Sequence, residues 1–234
     1  MTHSRVVRPH IFAHIPQLVA GISTRHGGVS SQAYQSLNLG VHTDDDPAAI
    51  TQNLSLFCAD LGISPESLAR SYQVHSAEIW QTSLPGYQSG YDAILSLTPG
   101  IIAGVGIADC CPILLADPVR QVTAAIHAGW KGTVAQIVRK TATAMIEAGS
   151  NPADILAYIG PCISFENFEV GDEVRAAFVA HTADLSDPQA CKDAVAACVA
   201  QLGRLDVLGN IAGIAASSRG RNQSTRSSAS IRNA

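Results

Sequence analysis

Apolar positions recur at helical spacing in four stretches of the chain. In the first, Ile50, Leu54, Phe57 and Leu61 form one stripe, Asp46 stands where a cap is needed and Pro47 suits the first turn. This predicts a helix from Pro47 to Leu61. A second helix is predicted over 133–148, with Val134, Ile137, Val138 and Met145 on its apolar side and Gly149 as the stop. A shorter one falls at 172–180. The fourth is predicted at 188–202, between Asp187 as cap and Gly203 as stop. Short apolar runs predict strands at 101–107, 113–116, 122–126, 156–159 and 205–208, with earlier strands at 18–23 and 70–74. Strands cluster ahead of helices and do not alternate with them. The expected fold class is therefore α+β: mixed β-sheets flanked by helices in a single domain, not a doubly wound fold.

Composition narrows this picture. The 234 residues are 47% hydrophobic and 15% charged, which suits one sizeable globular domain. Aromatics make up only 5%, so Ala, Val, Ile and Leu must build the core. A formal charge of −4 argues against a broadly basic surface, and no nucleic-acid partner is expected. No apolar run approaches the ~18 residues of a membrane span, so no membrane partner is expected either. The N-terminus has no continuous apolar core of a signal peptide. Six cysteines are too sparse for a disulfide scaffold, so they read as free thiols or metal ligands in a cytoplasmic protein. Residues 217–234 carry four arginines, no acid and one large apolar residue, which reads as a disordered tail.

Reactive side chains concentrate in three segments: QVHSAE at 73–78, ADCCP at 108–112 and HAGWKG at 127–132. Each is expected at the end of a strand: His75 after 70–74, Cys110 after 101–107, His127 after 122–126. Three strand ends can converge on one sheet edge and bring one Cys and two His together. Thiolate and neutral imidazole are the preferred donors of zinc, and three protein ligands leave a fourth position open. The spacing alone does not single out a metal, since a lone His or Cys at a strand end is more often structural. Cys111 competes with Cys110, but neighbours in a strand face opposite sides, so only one of them should face the site. His127-Ala-Gly-Trp-Lys-Gly leads into the second helix, where Lys131 and free N–H groups make an anion pocket plausible; a glycine turn packed under Trp130 reads equally well. Arg25 in STRHGGVS suits a carboxylate or phosphate, and Asn38 in SLNLG suits a base or sugar edge. Cys162 in GPCIS reads best as a buried structural thiol.

Taken in order, GISTRHGGVS, SLNLG, DDDPAAITQN, QVH, YDAI, ADCCPILLAD, HAGWKG and IGPCISFENFEVGDEV resemble the YfiH-like laccase-domain family over about residues 12–178. Its members are described as polyphenol oxidases and as zinc-dependent purine nucleoside phosphorylases with adenosine deaminase activity. The resemblance implies that His75, Cys110 and His127 are the metal ligands and act in catalysis. It places Arg25 and Asn38 at the substrate pocket, with Lys131 where the family commonly has Arg. The implied cofactor is zinc, with copper as the alternative. The implied partners are small molecules: adenosine, inosine, guanosine, methylthioadenosine and phosphate, or phenols if copper is used. Asp92 and Asp109 are candidates for proton transfer or for orienting a ligand His. The HxE…PCxxC signature of zinc deaminases is absent, so deamination would rest on a different ligand arrangement. Eight His without an HxH pair do not supply the many-His clusters of a cupredoxin laccase.

After about Phe178 the family's usual closing segment, with its FFSYRRD-type stretch, is not found. Residues 183–215 instead resemble the middle of a short-chain dehydrogenase, without its glycine-rich nucleotide loop or its YxxxK pair. The expected organisation is a YfiH-like metal-dependent catalytic domain at 1–182, a dehydrogenase-like helix–strand fragment at 183–216 and a tail at 217–234.

Overall fold

The computed structural model describes residues 4–178 and Gln189. The chain divides into one compact unit over 1–178 and a second over 179–234. Apart from Gln189, the helix expected at 188–202 lies outside the described residues, as do the strand at 205–208, the tail at 217–234 and the boundaries at 182 and 216.

In chain order the strands are β1 (Val6–Val7), β2 (Ile22–Ser23), β3 (Leu68–Tyr72), β4 (Ile79–Thr82), β5 (Gly86–Ser89), β6 (Ala93–Ser96), β7 (Ile102–Ala103), β8 (Cys111–Asp117), β9 (Val122–Ala128) and β10 (Leu156–Ile159). The helices are α1 (Pro47–Leu61), α2 (Trp130–Val134), α3 (Ile137–Glu147) and α4 (Asp172–Ala177). Among the described residues the strands form a pair β1-β2, a five-stranded sheet β10-β8-β9-β6-β4 and a three-stranded sheet β5-β3-β7. The five-stranded sheet is antiparallel except where β6 meets β4, so it is mixed. The fold is α+β, as the pattern predicts. No helix among the described residues is long and apolar enough to cross a membrane.

α1 forms where its signals place it. The Asp46 carboxylate accepts from the N–H of Ala48, and Gly62 ends the helix at φ 72°. The second predicted helix is in fact two. Gln136 adopts φ 61°, breaking the helix between α2 and α3. The break turns Ile137 fully inward and leaves Val134 exposed, although the periodicity placed both on one side. The strand expected at 101–107 pairs only at Ile102–Ala103. Beyond it the Gln73 side chain takes over from the backbone ladder, donating to the Gly106 carbonyl and accepting from its N–H. On one face of the five-stranded sheet Leu95, Ile113, Leu115, Ala124 and Ile126 pack with Ile137, Ala144 and Met145 of α3. Each buried Leu, Ile or Met among them contributes roughly 1.5–3 kcal/mol. The opposite face, with Leu114, Ala116 and Ala125, lines a cavity of about 890 Å³.

Candidate metal centre

The register of the five-stranded sheet assembles the site. Pro112 pairs with His127 and Cys111 with Ala128, so Cys110 lies just outside the open end of the β8-β9 hairpin, beside Gly129. Ala93 pairs with Ile126, which sets Asp92 next to His127, and the His127 N–H donates to the Asp92 carbonyl at 2.7 Å. Cys110 therefore precedes a strand; it does not follow one, because the 101–107 run leaves its ladder early. Alternation along the strands settles which cysteine faces the site. Ala124, Ile126 and Ala128 point to the α3 core, and Cys111 packs against that core. His127 points the other way, and Cys110 joins it.

The third member arrives from the loop after β3. His75 has φ 60°, a left-handed conformation that costs a non-glycine residue ~1–2 kcal/mol. Its ring stands edge-to-face with that of His127, centroids 4.8 Å apart. One donor atom from each of His75, Cys110 and His127 falls within 4.8 Å of the others. His75 is exposed, Cys110 half-buried and His127 buried.

Asp92 is completely buried beneath this trio. Its Oδ1 lies 2.7 Å from Nδ1 of His127 and 2.9 Å from the N–H of His75. Its Oδ2 accepts from the N–H groups of Val74 and Ser76 and from the Ser76 hydroxyl. Burial alone would raise the Asp92 pKa, but the hydrogen bonds from His127, Ser76 and Val74 outweigh it and hold it below the usual carboxylate value. Burial, then the charges of Asp109 and Asp92, push the Cys110 thiol up. Cys111 is pushed up to about 11 by burial and by Cys162. Cys162 is exposed, not the buried structural thiol its sequence context suggests.

The other expected site residues form separate groups. Arg25 is exposed and donates to the Gln35 carbonyl at 3.0 Å. Asn38 spends its amide on its own loop, donating to Thr43 and Asp45 and accepting from the Gly40 N–H. Both belong to one loop network pegged by Asn53 of α1, a fully buried residue that the sequence reading missed. Asn53 accepts from the Val29 N–H and donates to Ser30 and to the Asn38 carbonyl. The available signal was a polar residue three positions after Ile50, on the apolar side of α1. Lys131 is exposed, its ammonium 5.6 Å from the centre of the Trp130 ring.

The donor set fits a zinc-type ion. Bond lengths of ~2.0–2.3 Å put tetrahedral donors about 3.5 Å apart, so a trio within 4.8 Å needs only a modest contraction. Copper(II) is also compatible with one thiolate and two imidazoles.

Comparison with known proteins agrees with this picture. A family model described as multi-copper polyphenol oxidoreductase laccase matches residues 19–228. The chain is 43% identical over 156 residues to a purine nucleoside phosphorylase of Deinococcus radiodurans, covering 67% of this chain and 61% of that protein. It is 41% identical over 166 residues to purine nucleoside phosphorylase YfiH of Escherichia coli K12, covering 70% and 66%. The chain thus spans under two thirds of the length of these curated relatives. The crystal structure of YlmD from Geobacillus stearothermophilus is similar with a TM-score of 0.66 and 29% identity, over 70% of this chain and 64% of that one. The family match runs through 183–215, so the likeness of that stretch to a short-chain dehydrogenase is left without support.

Proposed function

Because the chain belongs to the multi-copper polyphenol oxidoreductase laccase family, whose relatives include proteins named purine nucleoside phosphorylase, we propose that it is a zinc-dependent purine nucleoside phosphorylase. The observation that carries this reading is the convergence of His75, Cys110 and His127 within 4.8 Å at the open end of one hairpin. A bound zinc ion supplies Lewis-acid polarisation of a ligand atom. In the reaction the C1′–N bond of the nucleoside breaks, a C1′–O bond to hydrogen phosphate forms, and the purine leaves with the proton that the phosphate gives up. Arg25 on its loop and Lys131 in α2, both exposed and cationic, are the side chains available to bind phosphate. Asn38 keeps the loop beside Arg25 in shape for the nucleoside. Adenosine, inosine, guanosine and methylthioadenosine are the expected substrates, and adenosine deamination is an accompanying activity of the same centre.

The test is release of hypoxanthine from inosine by the zinc-loaded protein, with and without phosphate. Phosphate-dependent release that disappears in Cys110→Ala supports the reading. A zinc-loaded protein that releases no base from any of the four nucleosides overturns it. A second reading, copper-dependent oxidation of phenols, is favoured by the description of the family model. Oxygen uptake with a phenol by the copper-loaded protein, compared with base release by the zinc-loaded one, separates the two.

A further inference from the structure

We propose that Asp92 is the positioning residue that makes two of the three metal donors a single unit. The inference rests on the metal reading of the His75-Cys110-His127 trio but not on the substrate. A carboxylate can only accept hydrogen bonds. Its 2.7 Å contact with Nδ1 of His127 therefore requires the proton on Nδ1, which leaves Nε2 of that ring as the free donor atom. The same carboxylate receives three consecutive backbone N–H groups, from Val74 at 3.1 Å, His75 at 2.9 Å and Ser76 at 2.7 Å. Successive N–H groups converging on one anion form a nest, and the nest holds His75 at φ 60°. The Ser76 hydroxyl adds a contact at 2.8 Å. One side chain thus fixes the tautomer of one ligand and the backbone of the other.

The arrangement separates support from ligation. Asp92 is fully buried and contacts His127 at Nδ1, leaving Nε2 as that ring's donor, so it acts through the two histidines. An amide in its place cannot serve both histidines. Turned one way, Asn offers its NH₂ to Nδ1 and forces the proton onto Nε2, closing that donor. Turned the other way, it points the NH₂ at the N–H groups of Val74 and Ser76 and opens the nest.

The test uses cobalt(II) as the probe on the full chain, with two independent readouts. In the metal-free native protein, nitrogen NMR should show His127 as the Nδ1–H tautomer. Asp92→Asn should weaken cobalt affinity by about 10- to 100-fold. The thiolate-to-cobalt charge-transfer band from Cys110 should persist while the ligand-field bands change. A merely structural role would lower thermal stability without altering the spectrum of the cobalt-loaded protein. Cobalt binding within threefold of the native value with an unchanged spectrum overturns the proposal, as does an Nε2–H tautomer in the native protein. If Asp92→Asn does not fold, the tautomer measurement decides alone. Absence of phosphorolysis in the native protein, with its cobalt binding and its Nδ1–H tautomer as expected, would count against the proposed reaction and leave the role of Asp92 standing.

Discussion

Gly129 sits between His75 and Cys110, two of the three proposed metal ligands, and replacing it with Ala tests the centre directly. A Cβ at this position would lie 2.8 Å from Cδ2 of His75 and 3.2 Å from Sγ of Cys110. Ordinary carbon contacts are ~3.5–4.0 Å, so the imidazole must retreat by about 0.7 Å or more. A functional constellation tolerates displacements of ~0.5 Å. The backbone does not resist the change, because Gly129 has φ −74° and ψ 169°, open to any residue. His75 is exposed, so it can swing outward without disturbing the core. Alanine also reduces the freedom of the unfolded chain, worth ~0.4–1 kcal/mol in favour of folding. The expected outcome is a 10- to 100-fold loss of zinc affinity, about 1.4–2.8 kcal/mol, with an unchanged or slightly raised melting temperature of the metal-free protein. Zinc competition with a chromophoric chelator measures the first, and thermal unfolding in excess chelator the second. Gly132→Ala is the contrast: its Cβ would meet the backbone carbonyl of Ser76 at 2.8 Å, which cannot swing away. That variant should lose ~1–3 kcal/mol of stability. Native zinc affinity in Gly129→Ala, or a large drop in its metal-free melting temperature, would refute the assignment of this space to the ligands.

Cys110→Ala should abolish bound metal by elemental analysis while Cys111→Ala largely retains it, since Cys111 packs on the α3 core; equal losses would reverse the assignment. Asn53→Ala removes three hydrogen bonds from a buried amide and should cost about 3 kcal/mol in urea unfolding, at ~1 kcal/mol each. Arg25→Gln and Lys131→Gln should each raise the phosphate KM severalfold with melting temperatures within about 2 °C, because exposed charges contribute under ~1 kcal/mol to folding. Ser30 and Asn38 hold the Asp45 carboxyl below its usual value. A lowered folded pKa gives stability that is present above the unfolded value and lost as pH falls through the folded one. Asp45→Asn should therefore lower the urea midpoint at pH 7 and change it less at pH 3.

The sequence announced some of this structure because local signals sufficed. Asp46, Pro47 and Gly62 delimit α1 by capping chemistry that needs no tertiary partner. The apolar runs of β8 and β9 are long enough to mark themselves, and the family motifs carried His75, Cys110 and His127. What stayed hidden depends on contacts made across the fold. β6 is the four-residue run AILS, buried on both sides and too short to show a period. β5, GYQS, is exposed throughout and has no apolar signal at all. The Gln136 break answers to where Ile137 must go, not to any residue that breaks helices. Asp92 was visible only as one of two nearby acids. Its role comes from lying opposite His127 in the sheet and beneath the 74–76 turn, a coincidence of register that the residues alone do not encode locally.

The charge of Asp92 gives a reason for the centre to prefer a cation. Among the described residues no Lys or Arg forms an ion pair with this fully buried carboxylate; its partners are backbone N–H groups, a hydroxyl and an imidazole. Buried charges are normally paired or placed against a metal. The hydrogen bonds to Asp92 outweigh burial and hold its pKa below the usual carboxylate value. Burial first, then the charges of Asp109 and Asp92, push the Cys110 thiol up. A divalent cation held by His75, Cys110 and His127 would answer both conditions: its charge would offset the carboxylate, and coordination would favour the thiolate. The two cysteines make the same point by contrast. Cys111, packed against the α3 core and pushed up to about 11 by burial and by Cys162, serves packing. Adjacent thiols thus receive different chemistry from strand alternation, and only the one facing His75 and His127 lies where a cation would change its state.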